Sequence, residues 1–248
     1  MIIHKSEREI ALMHEAGKVV AEALEEIEKV IRPGVTTLEL NQLVEDIMQK
    51  RGARPAFKGY RGFPASICTS INSEVVHGIP GLKTLSDGDI ISIDIGAEIN
   101  GYYGDAARTF PVGSVDEVSV RLIKVTAECL EKGIQQCTKN KRLTDISFAI
   151  QSHAEANGFS VVKEFVGHGI GRALHEDPQL PNFGRPGRGP RLTPGMVLAI
   201  EPMVNTGGSL TEVLADNWTV VTRDGGRSAH FEHTVAITEN GPLILTRR

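Results

Sequence analysis

The chain has little of what marks several large protein classes. Its 248 residues include three cysteines, Cys68, Cys129 and Cys137, which form neither a disulfide framework nor a Cys-x-x-Cys zinc pattern. Basic residues are not in excess, since 27 of them face 31 acidic ones and the net charge is −4. Aromatic residues make up 5% of the chain, so a mainly aliphatic core is expected. These absences exclude a disulfide-stabilised mini-domain and argue against nucleic acid as the main partner.

Long hydrophobic runs are also missing. No apolar stretch approaches the roughly 18 residues of a membrane-spanning helix. The opening MIIHKSEREI becomes polar too early for a signal peptide. Because sparse cysteines favour a reducing compartment, we expect a cytoplasmic protein without membrane contact. The composition, 40% hydrophobic and 23% charged, is typical of a globular protein.

The first part of the chain predicts two helices. Ser6 and Glu9 form a capping box at the start of the first helix, and Pro33-Gly34 ends it. The second helix covers 36–52 and has its apolar residues on one face.

Strand-like runs follow these helices. They cover 65–71 and 89–110, and the Asn100-Gly101 pair inside the second run predicts a tight hairpin.

The same order of elements repeats in the second half. The stretch SVDE at 114–117 resembles a capping box and predicts a third helix. A fourth helix is predicted over 144–158, where Gly158 ends it. The strand-like segments after it are 160–166, 195–204, 217–223, 230–238 and 242–246.

A glycine and a carboxylate recur at the same spacing in both halves. Gly88 lies six residues before Asp94, and Gly195 lies six residues before Glu201. The offset between the two copies is 107 residues, which indicates a duplicated helix–helix–strand unit. A chance likeness between two α/β segments is the alternative.

No low-complexity linker separates the two copies. We therefore predict a single domain over 1–248, with halves of approximately 1–113 and 114–248 that share one core.

Four carboxylates are the strongest chemical signal. Asp94 lies in the apolar run ISIDIGA, where an unpaired charge is costly to bury, and Asp105 faces it across the predicted hairpin. Glu201 occupies the matching place in the second half, and Glu232 lies on a predicted strand like that of Asp105. Each alone could be a structural salt-bridged or edge-strand charge. Together they carry −4, which two bridging divalent ions can neutralise and one cannot.

Two histidines lie in the stretch FVGHGIGRALHEDP at 165–178. The glycines around His168 predict a strand end or a loop, not a zinc-protease helix. The spacing alone leaves open whether His168, His175 or both bind metal, although His168 is the natural candidate. An imidazole ligand would shift metal preference from magnesium or calcium towards Mn, Fe, Co or Zn.

The other histidines carry weaker signals. His77 precedes Gly78 in SEVVHGIP and is expected at the end of a strand, as a turn residue or a functional one. His230 shares a strand face with Glu232, but we interpret it as a non-ligand. His4, His14 and His153 are interpreted as structural or exposed. His233 directly follows Glu232 and is expected to point to the opposite face of the strand.

The chemistry-bearing residues follow the order His, Asp, Asp, His, His, Glu, Glu. With the segments EVVHGIP, GYYGDAARTF, FVGHGIGRALHEDP and EPM, this order closely resembles the type I methionine aminopeptidases of the pita-bread metallopeptidase family. The likeness extends from SEREIALMHEAG to FEHTVAIT, almost end to end. It implies an α+β pita-bread fold, with pseudo-twofold duplicated halves around a central antiparallel sheet.

The resemblance also implies roles for individual residues. The metal ligands would be Asp94, Asp105, His168, Glu201 and Glu232. His77 and His175 would contact the substrate peptide and stabilise the transition state, with Glu201 as the catalytic base. The methionine pocket would be lined by Phe57, Tyr60, Phe63, Cys68 and Trp218. Phe57 is bulkier than the cysteine common at this position in bacterial relatives.

The implied activity is removal of the N-terminal methionine from peptides and nascent chains, with a small second residue preferred. It would use two divalent ions, Co, Mn, Fe or Zn, and a monovalent cation for which Ser228 is the candidate. We expect a monomer, and its charge is compatible with local basic patches for ribosome docking.

Two other functions belong to the same fold. A proline-specific peptidase would carry a large N-terminal domain, for which the first helix at Ser6 leaves no room. A non-catalytic binding module would lack metal ligands.

Overall fold

A computed structural model describes all residues, 1–248. Four α-helices carry most of the helical content. They are α1 (Glu7–Val30), α2 (Thr37–Arg51), α3 (Glu117–Ile134) and α4 (Leu143–Ala156). None of the four combines the length and the apolar character that a bilayer crossing requires.

The helix starts show which capping predictions are right. The Ser6–Glu9 capping box is confirmed, because Ser6 accepts from the Glu9 backbone and Glu9 accepts from that of Ser6. The SVDE prediction is wrong in detail. Asp116 caps α3 by accepting from the Ser119 backbone, whereas the Ser114 backbone donates to Asp87.

Fifteen short strands complete the fold. They are β1 (Arg54–Pro55), β2 (Ile67–Ile71), β3 (Glu74–Val76), β4 (Ile90–Ile99), β5 (Tyr102–Pro111), β6 (Ser160–Val161), β7 (Gly167–Gly169), β8 (Glu176–Leu180), β9 (Val197–Ile200), β10 (Met203–Asn205), β11 (Thr211–Val213), β12 (Val220–Thr222), β13 (Ser228–His230), β14 (His233–Thr238) and β15 (Gly241–Ile244). Asn100 and Gly101 both have positive φ and turn β4 into β5, so the predicted hairpin is confirmed.

The strands form four antiparallel sheets. The first-half sheet has the order β1-β4-β2, with β5 paired to β4, and the largest second-half sheet has the order β15-β14-β9-β7-β8. The remaining two sheets are three-stranded, with the orders β13-β10-β6 and β11-β12-β3.

Hydrogen bonds join the two halves at the centre of the molecule. The Glu232 backbone N–H donates to the Ala107 carbonyl over 2.9 Å, and the Asp105 N–H donates to Thr234 Oγ1 over 2.9 Å. Each half also has its own apolar core, because α1 and α2 pack with the first sheet and α3 and α4 with the second. The functional carboxylates therefore lie where the two layers of strands meet.

The predicted repetition between the halves is visible in the backbone. Gly88 and Gly195 have φ of +91° and +90° at the turns that lead into β4 and β9. Both positions need the left-handed conformation that glycine adopts without strain. Asp94 and Glu201 follow these turns at the same distance along the chain.

Candidate metal centre

The first two carboxylates lie on one face of the β4–β5 hairpin. Asp94 opposes Ala107 and Asp105 opposes Gly96, so the two aspartates are diagonal neighbours. Diagonal neighbours on one sheet face are within reach of each other. The hairpin thus brings Asp94 and Asp105 together, as its sequence predicts.

The two glutamates lie at breaks between strands, which the sequence did not predict. The expected strand 195–204 is interrupted at Glu201 and Pro202, and the expected strand 230–238 is interrupted at Phe231 and Glu232. The prediction that Glu232 lies within a strand like that of Asp105 is therefore wrong. Pro202 explains the first break, because it has no N–H to donate to a neighbouring strand.

His168 lies at the centre of the short strand β7, between two glycines that allow close contact with neighbouring backbone. A Cβ at Gly167 would lie 2.4 Å from the Ala199 carbonyl oxygen, and one at Gly169 would lie 2.1 Å from that of Asp177. The prediction that this stretch is not a helix is confirmed, and His168 lies within a short strand instead of at a strand end or in a loop.

A hydrogen bond fixes the imidazole of His168. Its Nδ1–H donates to the Gly169 carbonyl over 2.8 Å, so Nε2 carries no proton and its lone pair is free to bind a metal ion. That Nε2 lies 3.5 Å from Glu201 Oε1. Such a tautomer is the form in which histidine binds metal.

Burial makes the charged forms of these carboxylates costly. It raises the pKa of Asp94 to about 7. Burial, followed by repulsion from neighbouring carboxylates, raises the pKa values of Asp105, Glu201 and Glu232 well above their usual range. Without a compensating cation, the four groups could not all be ionised at neutral pH.

The residues present fit a metal site. Donor atoms of Asp105, His168 and Glu232 lie within 4.8 Å of one another, and all three side chains are buried. Oxygens of Asp94, Asp105 and Glu232 are buried without any hydrogen-bond partner. Buried polar atoms are seldom left unpaired in this way, so the cluster is suited to cation binding.

One cleft collects the five proposed ligands of the divalent ions and the residues expected to bind substrate or take part in catalysis, whereas Ser228, the candidate for the monovalent cation, is not among its lining residues. The cavity of this cleft measures about 140 Å³. It is lined by Phe57, Tyr60, Arg61, Phe63, Cys68, His77, Asp94, Asp105, His168, Leu174, His175, Glu201, Trp218 and Glu232. Arg61 and Leu174 were missed by sequence reasoning, because neither belongs to a chemical pattern.

Aromatic contacts hold His175 beside His168. The His175 ring is stacked on Tyr60, with centroids 5.2 Å apart, and lies 4.2 Å from the His168 ring. Burial, and secondarily Arg61, lowers the pKa of His175. His175 is therefore a neutral side chain at the wall of the cleft.

His77 follows β3 in a left-handed conformation with φ of +61°. Its ring packs edge-on against Phe165 and Trp218, at 5.6 and 6.3 Å between centroids. Burial lowers its pKa to about 4. Such a conformation is costly for a residue other than glycine and is often found at functional sites.

Four histidines lie outside the cleft and bond elsewhere. His4 bonds Thr193, His14 the Leu245 carbonyl, His153 Glu128, and His233 Thr246. This placement agrees with the interpretation of His4, His14 and His153 as structural or exposed residues and with the expectation that His233 points away from Glu232.

Comparisons with known proteins agree with this geometry. The model of metallopeptidase family M24 matches residues 11–239. Methionine aminopeptidase 1 of Bacillus subtilis is 59% identical over the whole of both chains, and the methionine aminopeptidase of Clostridium perfringens is 58% identical over 99% of each. The chain belongs to the methionine aminopeptidases of metallopeptidase family M24.

Solved structures show the same family fold. The methionine aminopeptidase of Thermotoga maritima superposes with a TM-score of 0.99, at 52% identity over the whole of both chains. A prolidase from Pyrococcus furiosus superposes with a TM-score of 0.81 at 25% identity, and the matched region covers 66% of the prolidase chain. The predicted pita-bread fold is confirmed, and the nearer likeness is to methionine aminopeptidases, which are metal-dependent hydrolases.

Proposed function

We propose that this chain removes the N-terminal methionine from peptides and nascent proteins, with a small second residue preferred. The observation that carries the proposal is the single cleft in which a buried carboxylate cluster adjoins an aromatic-lined slot. The 59% identity to a named methionine aminopeptidase supports the same activity.

Five side chains would hold two divalent ions: Asp94, Asp105, His168, Glu201 and Glu232. When bound, these ions would supply Lewis-acid polarisation of the scissile carbonyl and lower the pKa of a water molecule. The mixed donor set of carboxylate oxygens and imidazole nitrogen suits Mn, Fe, Co or Zn. The proposed monovalent-cation site at Ser228 stays a prediction, and the unpartnered Oγ of that residue is compatible with it.

The chain's own groups would move the protons. Glu201 would accept a proton from the attacking water and return it to the leaving amine. His175 would donate a hydrogen bond to the carbonyl oxygen as negative charge develops there. His77, which also lines the cleft, would hydrogen-bond the peptide nitrogen and orient the substrate.

Shape and charge would select the substrate. The free N-terminal amine of the substrate would be held in its neutral form at the buried end of the cleft, as a ligand of one of the two ions, which favours an aminopeptidase over an endopeptidase. The methionine side chain would fill the slot formed by Phe57, Tyr60, Phe63, Cys68 and Trp218. Phe63 and Trp218 meet edge-to-face at 5.1 Å, which gives this slot a rigid wall.

Chelation followed by metal return tests the proposal. We expect the stripped protein to release no methionine from a Met-Gly-containing peptide, and Mn²⁺ or Co²⁺ to restore release. A peptide with proline as its second residue, offered in parallel, distinguishes a proline-specific peptidase. Release that survives chelation, or faster cleavage before proline, would overturn the proposal.

A tight contact beneath the slot gives a second prediction. A Cβ at Gly96 would lie 2.7 Å from Cε1 of Phe57 and 2.8 Å from the Cβ of Ala56. Gly96→Ala should therefore push Phe57 into the cleft and lower kcat/KM for methionine peptides about tenfold or more, since small displacements of positioning groups are costly.

Two further variants control for this effect. Gly81→Ala places a Cβ in open space and should leave kcat/KM unchanged. Adding Phe57→Leu to Gly96→Ala should recover part of the loss, because a smaller side chain relieves the contact. Wild-type kinetics for Gly96→Ala alone would contradict this account of the slot.

A further inference from the structure

His230 is a buried histidine without a hydrogen bond at its outer ring nitrogen. The residue is 1% exposed, and its Nε2 has no partner. This nitrogen lies 3.9 Å from Glu201 Oε2 and 4.0 Å from Glu232 Oε2. A fully buried polar atom left unpaired beside two carboxylates requires an explanation.

The backbone holds His230 in this position. Its N–H donates to Thr109 Oγ1 over 2.8 Å, and its carbonyl accepts from the same hydroxyl over 2.9 Å. Its Cα also pairs with Met203 across the ladder of β10 and β13. Contacts to both neighbouring elements therefore fix the backbone of this residue, and its side chain is fully buried.

The distances match donor atoms that share a cation. Contacts of 3.9 and 4.0 Å are too long for hydrogen bonds. Ligand atoms each about 2.1 Å from one ion lie about 3.0–4.2 Å from one another.

His168 has the same relation to Glu201. Its Nε2 lies 3.5 Å from Glu201 Oε1, so each oxygen of this carboxylate has an imidazole nitrogen beside it. One of these two imidazoles is already a proposed ligand.

We infer that His230 is an additional nitrogen donor of the metal centre, where it shares a divalent cation with Glu201 and Glu232. This inference rests on the proposed function, since it concerns the same ions. It gives the centre two imidazoles instead of one. A second imidazole favours Fe, Co or Zn over Mn, because nitrogen is a softer donor than carboxylate oxygen.

Counting the coordinated nitrogens tests the inference. Protein with ¹⁵N-labelled histidine is loaded with two equivalents of ¹¹³Cd²⁺, and each ring nitrogen bound to cadmium shows a split NMR signal. We expect two split signals in the wild-type protein and one in His230→Gln. By titration calorimetry, Zn²⁺ should bind His230→Gln about 10- to 100-fold more weakly, as for the loss of a supporting metal contact.

His233→Gln is the matched control. His233 is a nearby histidine on β14 that bonds Thr246 and lies outside the cleft. This variant should keep two split signals and the wild-type Zn²⁺ affinity.

The number of split histidine signals in the wild-type protein tests the inference even if His230→Gln fails to fold. One split signal in the wild-type protein, or two that persist in His230→Gln, would overturn the role of His230 and leave the proposed function intact. Wild-type protein that binds neither Cd²⁺ nor Zn²⁺ in the cleft would overturn both.

Discussion

His175→Ala should keep its full complement of metal and yet lose about 10²- to 10³-fold in kcat/KM, the usual effect of removing one transition-state hydrogen-bond donor. The expectation follows from the position of this ring, which lies 4.2 Å from His168 and is stacked on Tyr60. Truncation removes a group that faces the substrate and leaves the five proposed ligands in place. Metal content by mass spectrometry and steady-state kinetics on a Met-Gly peptide measure the two effects separately.

His168→Ala is the counterpart and should fail differently. In the wild-type protein the Nε2 atom of His168 lies beside Glu201, and a ring nitrogen of His168 belongs to the donor cluster with Asp105 and Glu232. We expect the metal affinity to fall first and activity to follow, so that excess metal restores part of the turnover. Equal loss of metal in His168→Ala and His175→Ala would contradict this division of roles.

Metal-free protein should become less stable as the pH rises above 7. The pKa of Asp94 is raised to about 7, and those of Asp105, Glu201 and Glu232 are raised well above the usual range. A carboxylic acid with a higher pKa in the folded state holds its proton there preferentially, so stability is lost as the pH passes through the folded pKa.

The buried histidines should not reverse this slope. Burial lowers the pKa values of His168 and His230 to about 3, so above pH 7 both are neutral in the folded and the unfolded chain. We expect the Tm of metal-free protein to fall by a few °C between about pH 7.5 and pH 9, a range in which the histidines of the unfolded chain are already neutral, since 1 kcal/mol moves the Tm by about 2–4 °C at this size. Differential scanning calorimetry provides the measurement.

Two controls test the cause of the pH effect: loading the protein with metal, and removing one buried carboxylate. Protein loaded with Mn²⁺ should show little change in Tm over the same range. Glu232→Gln, which removes one buried charge, should show a smaller fall than the wild-type protein when metal-free. A metal-free wild-type Tm that is constant or rises with pH would contradict the electrostatic account.

Local sequence rules predicted the helices and the hairpin that positions the first two carboxylates. The Ser6 capping box and the Asn100-Gly101 turn depend on residues within a few positions of each other, so a single sequence suffices to find them. Asp116 as the cap of α3 was missed because the preceding Ser114 offered an equally plausible pattern. Here the competing contact, from the Ser114 backbone to Asp87, is tertiary.

The carboxylate cluster was predictable because burial of unpaired charge is costly wherever it occurs along a strand-like run. The breaks at Glu201 and Glu232 were not predicted. The strand-like sequence pattern continues through both positions, although the hydrogen bonding between strands stops there. The slot residues came from resemblance alone, and the structure lines one cleft with all five of them. Period-two alternation predicted that His230 shares a face with Glu232, but the approach of its ring to Glu201 depends on strand packing that a local pattern does not reveal.

The central claim is that two divalent ions hold the acids of both halves together. An anomalous-scattering map from crystals of protein purified without added metal tests it most directly. We expect two peaks, each about 2.0–2.3 Å from donor atoms of its ligands among Asp94, Asp105, His168, Glu201 and Glu232. No peak in the cleft, or ions held only by other side chains, would contradict the claim.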